Sequence, residues 1–248
     1  MAKTSDIIKI LEDYAPPELA ESWDNSGWQV FLGNDNTTKV LVCLTVTNDV
    51  INQAVELGCN LIVSHHPVIF KPIKVVKDIK LIKAIQRGIQ IYSLHTNCDK
   101  TNNGTSDILA QKLNLKKVAV MNDFVRAGFS PYDMTMEEFI SYVKLACNVT
   151  RIKFVNNGNK SRVKTVAVCA GAGAEFIEDI DKYNLDAYVT ADIKYHDAID
   201  SRRTAILDIG HFDSEKPFVE EIKTLLESHK HEGIDVVLAK EKQAWDYV

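Results

Sequence analysis

The 248-residue sequence has no C-x-x-C pair, no G-x-S-x-G elbow, no P-loop and no H-E-x-x-H helix. The usual signatures of dithiol redox chemistry, serine hydrolases, P-loop nucleotide binding and zincin proteases are therefore missing. Five cysteines are present: Cys43, Cys59, Cys98, Cys147 and Cys169. Their odd number argues against a disulfide framework and for free thiols in a reducing cytoplasm. No apolar segment approaches the roughly 18 residues that a membrane helix needs. The opening MAKTSDIIKI lacks a basic start followed by a long apolar run, so no signal peptide is expected. A long basic run is absent too, and 29 Lys+Arg stand against 34 Asp+Glu for a net charge of −5. General nucleic-acid binding, which needs a basic face to displace counterions, is not expected. Lys71, Lys74, Lys77, Lys80 and Lys83 read as solvated helix charge. With 46% hydrophobic and 25% charged residues, the chain is not disordered. Its length fits one large domain or two of about 100–150 residues.

What is present is an alternation of two periods. Short runs rich in Val and Ile predict buried strands at Lys39–Val46, Asn60–Ser64, Ile89–Leu94, Val163–Cys169, Asp186–Thr190, Thr204–Ile209 and Ile234–Ala239. Helical patterns fall between them, at Ser5–Tyr14, Asp49–Leu57, Asp78–Arg87, Asp107–Leu113, Thr135–Cys147, Ala174–Tyr183 and Glu215–His229. Asn48 and Asp78 are the expected N-caps of two helices, with Gly58 and Gly88 after their ends. Thr135 and Glu138 have capping-box spacing. Strands alternating with helices predict an α/β protein with mostly parallel sheets covered by helices. Met121–Tyr132, carrying Gly128 and Pro131, reads as a boundary between two α/β domains, 1–125 and 126–248, with the C-terminal part free to pack back on the first.

Ligands of open α/β sheets bind beyond the carboxyl ends of the strands. Five of the seven histidines follow predicted strands: His65 and His66, His95, His196 and His211. His229 and His231 sit in a polar helix end and read as solvated. A single histidine after a strand is most often a structural hydrogen-bonder; five of them at sheet edges point to a site. The adjacent His65–His66 pair, stiffened by Pro67, can offer two imidazoles to different metals once the chain turns past the strand end. Carboxylates follow at matching intervals: Asp99 four residues after His95, Glu215 four residues after His211 at an expected helix start, where the dipole favours an anion. Three histidines with two carboxylates exceed one tetrahedral zinc and suit a two-metal site.

Three other features compete. Gly171-Ala172-Gly173 follows a strand and precedes a helix, but Phe176 replaces the third glycine of a dinucleotide fingerprint, leaving an anion contact or a tight turn. Cys98 lies inside the candidate site and reads as a small buried thiol. Asp24 and Asn25 are candidates for orienting a site histidine or for shaping a turn.

Several motifs together resemble one family. They are A-x-x-W-D-N-x-G at Ala20–Gly27, S-H-H-P-x-x-F at Ser64–Phe70, H-T-N-x-D at His95–Asp99, T-x-D-I-K-Y-H-D-A at Thr190–Ala198 and G-H-x-x-S-E at Gly210–Glu215. In this order they resemble the GTP cyclohydrolase I type 2 homolog family, also called Nif-three-like or dinuclear metal-centre hexameric proteins. The resemblance implies two α/β domains with a dinuclear metal centre between them. It implies a ring-shaped homohexamer. Carried over by position, it makes His65, His66, Asp99, His211 and Glu215 the metal ligands and places His95 and His196 beside them as catalytic candidates. Trp28 departs from the smaller aliphatic residue usual in the family, and the chain has no room for the inserted domain of some members.

Two functions are weighed on this basis. One is a metal-dependent hydrolase using two divalent ions, zinc, iron, manganese, cobalt or nickel, on a nucleotide-like or phosphorylated small molecule. His95 or His196 would carry protons. The other is a non-catalytic metal-binding scaffold or protein-interaction factor.

Overall fold

The computed structural model describes residues 2–229 and 233–246, so His231 lies outside the described residues. By internal contacts the chain forms two units, one of Met1–Thr101 with Phe218–Val248 and one of Asn102–Pro217. The C-terminal stretch thus belongs with the first unit. Met121–Tyr132 runs inside the second.

The first unit is built on a five-stranded sheet. Its strands are β2 (Gly27–Val30), β4 (Val40–Thr45), β5 (Leu61–His66), β6 (Gln90–Ser93) and β13 (Val236–Leu238), in the order β13-β4-β5-β6-β2. Four run parallel and β2 is antiparallel at the edge. A small antiparallel pair, β1 (Ala2–Lys3) with β3 (Asn36–Thr37), leads into α1 (Thr4–Tyr14). Crossover helices are α2 (Asn48–Leu57) and α3 (Ile79–Gln86), with the short α4 (Thr96–Lys100) after β6 and α10 (Pro217–Ser228) before β13. Leu41 and Cys43 of β4 join Val50, Ile51, Leu81 and Ala84 of α2 and α3 in one apolar cluster. The alternate residues Val40, Val42 and Leu44 are buried as well. Because strand side chains alternate, both faces of this sheet are covered, and each fully buried Val or Leu contributes roughly 1.5–3 kcal/mol of transfer free energy.

The second unit carries a six-stranded sheet in the order β7-β8-β10-β11-β12-β9. These are β7 (Lys116–Val120), β8 (Arg126–Thr135), β9 (Lys153–Val155), β10 (Arg162–Ala172), β11 (Ala187–Ala191) and β12 (Ala205–Asp208). Only β10, β11 and β12 run parallel to one another; β8 and β9 flank them antiparallel, so the sheet is mixed. Leu109 of α5 (Thr105–Lys112) and Phe139 and Val143 of α6 (Met136–Cys147) pack with Val166 and Val168 of β10. Ile177 and Ile180 of α7 (Ile177–Tyr183) pack with Ala167, Cys169 and Tyr188. Neighbouring β10 residues thus enter opposite clusters, as the two-residue period requires. The remaining helices are α8 (Tyr195–Asp200) and α9 (His211–Glu215).

Several local expectations are corrected. Met121–Tyr132 is no linker: it holds the turn between β7 and β8 and more than half of β8, and Arg126 fixes that turn. Its buried guanidinium donates to Asp107 at 2.9 Å and to the carbonyls of Asn122 and Asp123, which satisfies a charge that burial would otherwise penalise. Thr47, not Asn48, caps α2, its hydroxyl accepting from the Val50 amide at 3.2 Å. Helix Glu215–His229 is in fact two helices, because Pro217 starts α10 afresh after α9 has ended. His229 is not simply solvated: its Nδ1 lies 2.9 Å from the Leu225 carbonyl at the end of α10. The caps at Asp78 and Thr135–Glu138 form as read. No helix among the described residues is long and apolar enough to cross a membrane. All five cysteines are free and buried.

Candidate metal centre

In the first unit the histidines gather at the carboxyl ends of β5 and β6. His65 and His66 do not lie past the strand; they are the last two residues of β5, before Pro67. The His65 ring is fully buried and packs against Phe218 at 4.9 Å. Its Nδ1 lies 2.7 Å from the Leu94 carbonyl. A carbonyl only accepts, so Nδ1 carries a proton; Nε2 lies 3.6 Å from Asp99 Oδ1. His66 is held through Nδ1 as well, 2.7 Å from the hydroxyl of Thr45, its register partner on β4. His95 follows β6 as the N-cap residue of α4. Its Nδ1 meets Asp24 Oδ1 at 2.7 Å. Asp24 also accepts from Ser26 and Thr96. Burial alone would raise its pKa, but these hydrogen bonds and the His95 charge hold it well below the usual carboxylate range. Asp24 is thus the histidine-orienting residue. Asn25 instead shapes the turn, donating to the Ile69 carbonyl at 2.6 Å. One ligand atom from each of His65, His66 and His95 falls within 4.8 Å of the others. Asp99 lies on α4 rather than in a loop.

Trp23 and Phe70 stand beside this cluster. Their centroids are 6.2 and 6.4 Å from the His95 ring and 5.9 Å from each other, and both rings are more than half exposed. Trp28, the departure from the family pattern, packs edge-on against Tyr92 at 5.2 Å.

In the second unit, His211 and Glu215 are the first and last residues of α9, one turn apart. Glu215, expected at a helix start, ends this short helix and is buried. His211 Nε2 meets Glu215 Oε2 at 2.9 Å, and Nδ1 meets Asp192 Oδ2 at 2.8 Å. Asp192 takes a left-handed conformation, φ 57°, in the turn after β11. Burial would lower the His211 pKa; the two carboxylates overrule it and carry it up to about 9. The glycine pair is explained by its place: Gly171 is next to last in β10 and Gly173 lies just past it. The Gly171 φ of 69° disfavours a side chain, and a Cβ there would collide with Glu215. A Cβ on Gly173 would strike the hydroxyls of Tyr188 and Thr190. These glycines make room for protein groups and form no phosphate cradle. His196 is exposed on α8, edge-on to Tyr195 at 5.5 Å. Cys98 is fully buried, as expected of a small structural thiol.

The donors are imidazole nitrogens and carboxylate oxygens, a set that suits first-row divalent ions. The four rings of His65, His66, His95 and His211 are all anchored through Nδ1, to a carbonyl, a hydroxyl and two carboxylates. That is how proteins orient ligating histidines. The residues therefore fit a metal. Sequence reasoning missed three of the anchors: Thr45, visible only once the β4–β5 register is known, the backbone of Leu94, which carries no side-chain signal, and Asp192, 19 residues from His211.

Comparison with known proteins identifies the family. The family model described as Duf34/NIF3 (NGG1p interacting factor 3) matches residues 2–244. A Clostridium perfringens protein named GTP cyclohydrolase 1 type 2 homolog is 33% identical over 262 residues, covering 99% of this chain and 100% of its own. A Helicobacter pylori protein named GTP cyclohydrolase 1 type 2 is 31% identical over 242 residues, covering 93% of this chain and 94% of its own. The crystal structure of a Staphylococcus aureus hypothetical protein, SA1388, superposes with a TM-score of 0.91 at 27% identity, covering 100% of this chain and 99% of the other. With a match running from the first strand almost to the last residues, the chain belongs to the Duf34/NIF3 family.

Proposed function

We propose that the protein is a metal-dependent hydrolase of a nucleotide-like or phosphorylated small molecule. One observation carries the reading: three imidazoles, each oriented through Nδ1, bring ligand atoms within 4.8 Å of one another beside the carboxylate of Asp99. His65, His66 and Asp99 of the first unit and His211 and Glu215 of the second would together hold two divalent ions. Such ions supply Lewis acidity and acidify water at neutral pH. The chain's own residues do the rest. Asp24 fixes the His95 imidazole, so its Nε2 can accept and return a proton near the reacting group. His196 keeps the second proton-carrying role through its place in the Thr190–Ala198 motif. The exposed faces of Trp23 and Phe70 suit stacking against a flat base, which favours a nucleotide among phosphorylated substrates. The Helicobacter pylori relative's name, GTP cyclohydrolase 1 type 2, points to the same substrate class. A homohexamer in the cytoplasm completes the proposal; light scattering on purified protein tests the assembly.

The decisive test is elemental analysis followed by a nucleotide turnover panel with the metals found. About two ions per chain, their loss in His65→Ala and His66→Ala, and turnover that falls with them are expected. A protein that binds metal but turns over nothing across the panel would instead be a scaffold.

A further inference from the structure

We infer that Glu241, in the C-terminal tail, is a positioning residue for His66; the inference rests on His66 being a metal ligand. β4 is covered on its outer side by β13, but the pairing ends at Leu238 opposite Val42, with one more bond from the Ala239 amide to the Val42 carbonyl. Beyond that point the last amides of β4 have no strand on the β13 side, while β5 continues on the other. Glu241 takes the strand's place. Its carboxylate accepts from two consecutive amides, Leu44 at 2.7 Å and Thr45 at 2.9 Å. The carboxylate is itself held. Lys240 exchanges two hydrogen bonds with Gln53 of α2, Lys240 N–H to Gln53 Oε1 at 2.8 Å and Gln53 Nε2 to the Lys240 carbonyl at 3.0 Å.

The consequence falls on the site. Thr45 lies opposite His66 in the β4–β5 register, and its hydroxyl meets His66 Nδ1 at 2.7 Å. Thr45 is exposed at the end of β4, so packing does not hold its side chain, and a charge-assisted pair of hydrogen bonds adds to the β5 pairing in holding its backbone. The chain of causes runs from Gln53 to Glu241, to the Thr45 amide, to the Thr45 hydroxyl, to the His66 ring. Tail and strand are 196 positions apart in sequence, so nothing local hints at the connection.

Glu241→Gln tests it with little change of shape. The amide keeps one acceptor, but its NH2 group turns a donor on a donor. Titrating metal-free protein with zinc alone, against a competing chelator, should show affinity about tenfold weaker in Glu241→Gln, the low end of the roughly ten- to hundredfold cost of losing a ligand's outer partner. Thr45→Val should do the same. In the double variant the two losses should not add, because they act along one path. Full additivity, or unchanged affinity in Glu241→Gln, overturns the inference. A tail that only stabilises the fold would lower the melting temperature without moving zinc affinity. The 15N imidazole resonances of His66 in the metal-free protein separate this inference from the metal reading. If the wild type takes up no zinc, the metal reading fails, while displacement of those resonances in Glu241→Gln still supports the positioning; unchanged resonances overturn it.

Discussion

The two units present their histidines by opposite electrostatic means. In the first, three imidazoles crowd together, and two of them are anchored by neutral groups, the Leu94 carbonyl and the Thr45 hydroxyl. In the second, a single imidazole is gripped by two carboxylates, and its pKa rises to about 9. In the first arrangement the Leu94 carbonyl fixes a proton on His65 Nδ1, with Nε2 facing Asp99. The second favours an ion pair, with the His211 imidazole held between Glu215 and Asp192. The histidine–carboxylate spacing is alike in the two units, four residues from His95 to Asp99 and from His211 to Glu215, yet the chemistry differs because the anchors differ.

The largest effect that could break this comparison comes from Gly171→Ala. The substitution strains a left-handed residue and pushes a methyl group into the buried Glu215 carboxylate. A loss of about 1–3 kcal/mol of stability is expected from the strained backbone alone. Denaturant unfolding measures it. Metal analysis should show the loss confined to ligands of the second unit, with the His65–His66–His95 cluster undisturbed. If Gly171→Ala unfolds at the wild-type midpoint and keeps its metal, Glu215 is not held where the contrast requires. Trp23→Ala comes next and acts on the first unit alone. Losing one stacking platform for a base should raise KM for a nucleotide substrate about tenfold, within the ~1–3 kcal/mol of a base–aromatic stack. The ring is exposed and makes no hydrogen bond to the imidazoles, so metal content should stay unchanged. Equal KM for nucleotides in wild type and variant would leave the aromatic pair without a part in recognition.

Much of this was legible before any coordinates, and the reasons are local. The buried parallel strands announce themselves as Val/Ile runs because both faces are covered, and the caps at Asp78 and Thr135 are written in consecutive residues. The site histidines could be found because strand ends collect ligands. What stayed hidden depended on pairing across long separations. β7 is exposed along its whole length and β8 carries Gly128 and Pro131, so neither shows a strand's alternation, and only their pairing turns them into a hairpin. Gly171 resembled a phosphate turn because its real constraint, Glu215, lies 44 residues away. Thr45 and Glu241 had no signal at all, since one depends on register and the other on where β13 stops.

The smallest effect concerns one device used at opposite ends of the two sheets. Asp186, just before β11, accepts from the Lys164 and Thr165 amides, both at 2.9 Å, and from the Thr165 hydroxyl, stitching the starts of β10 and β11. Glu241 grips two amides in the same manner, but at the carboxyl end of β4, beside a histidine. Burial would raise the Asp186 pKa; the amides, the hydroxyl and the Lys160 charge outweigh it and lower it. A carboxyl lowered on folding stabilises the protein at pH values above its unfolded pKa of about 4, and that contribution fades as pH falls through the lower folded value. Asp186→Asn should therefore destabilise the protein at neutral pH by less than about 1 kcal/mol, as a half-screened group would, and flatten the fall in stability below about pH 4. Urea unfolding at pH 7 and pH 3.5 reads both. Zinc affinity should not move, because amides at the amino ends of strands lie away from the ligand-bearing edge. Should Asp186→Asn weaken zinc binding as much as Glu241→Gln does, then clamping a strand end matters only for stability, and the distinction between the ligand-bearing and remote edges fails.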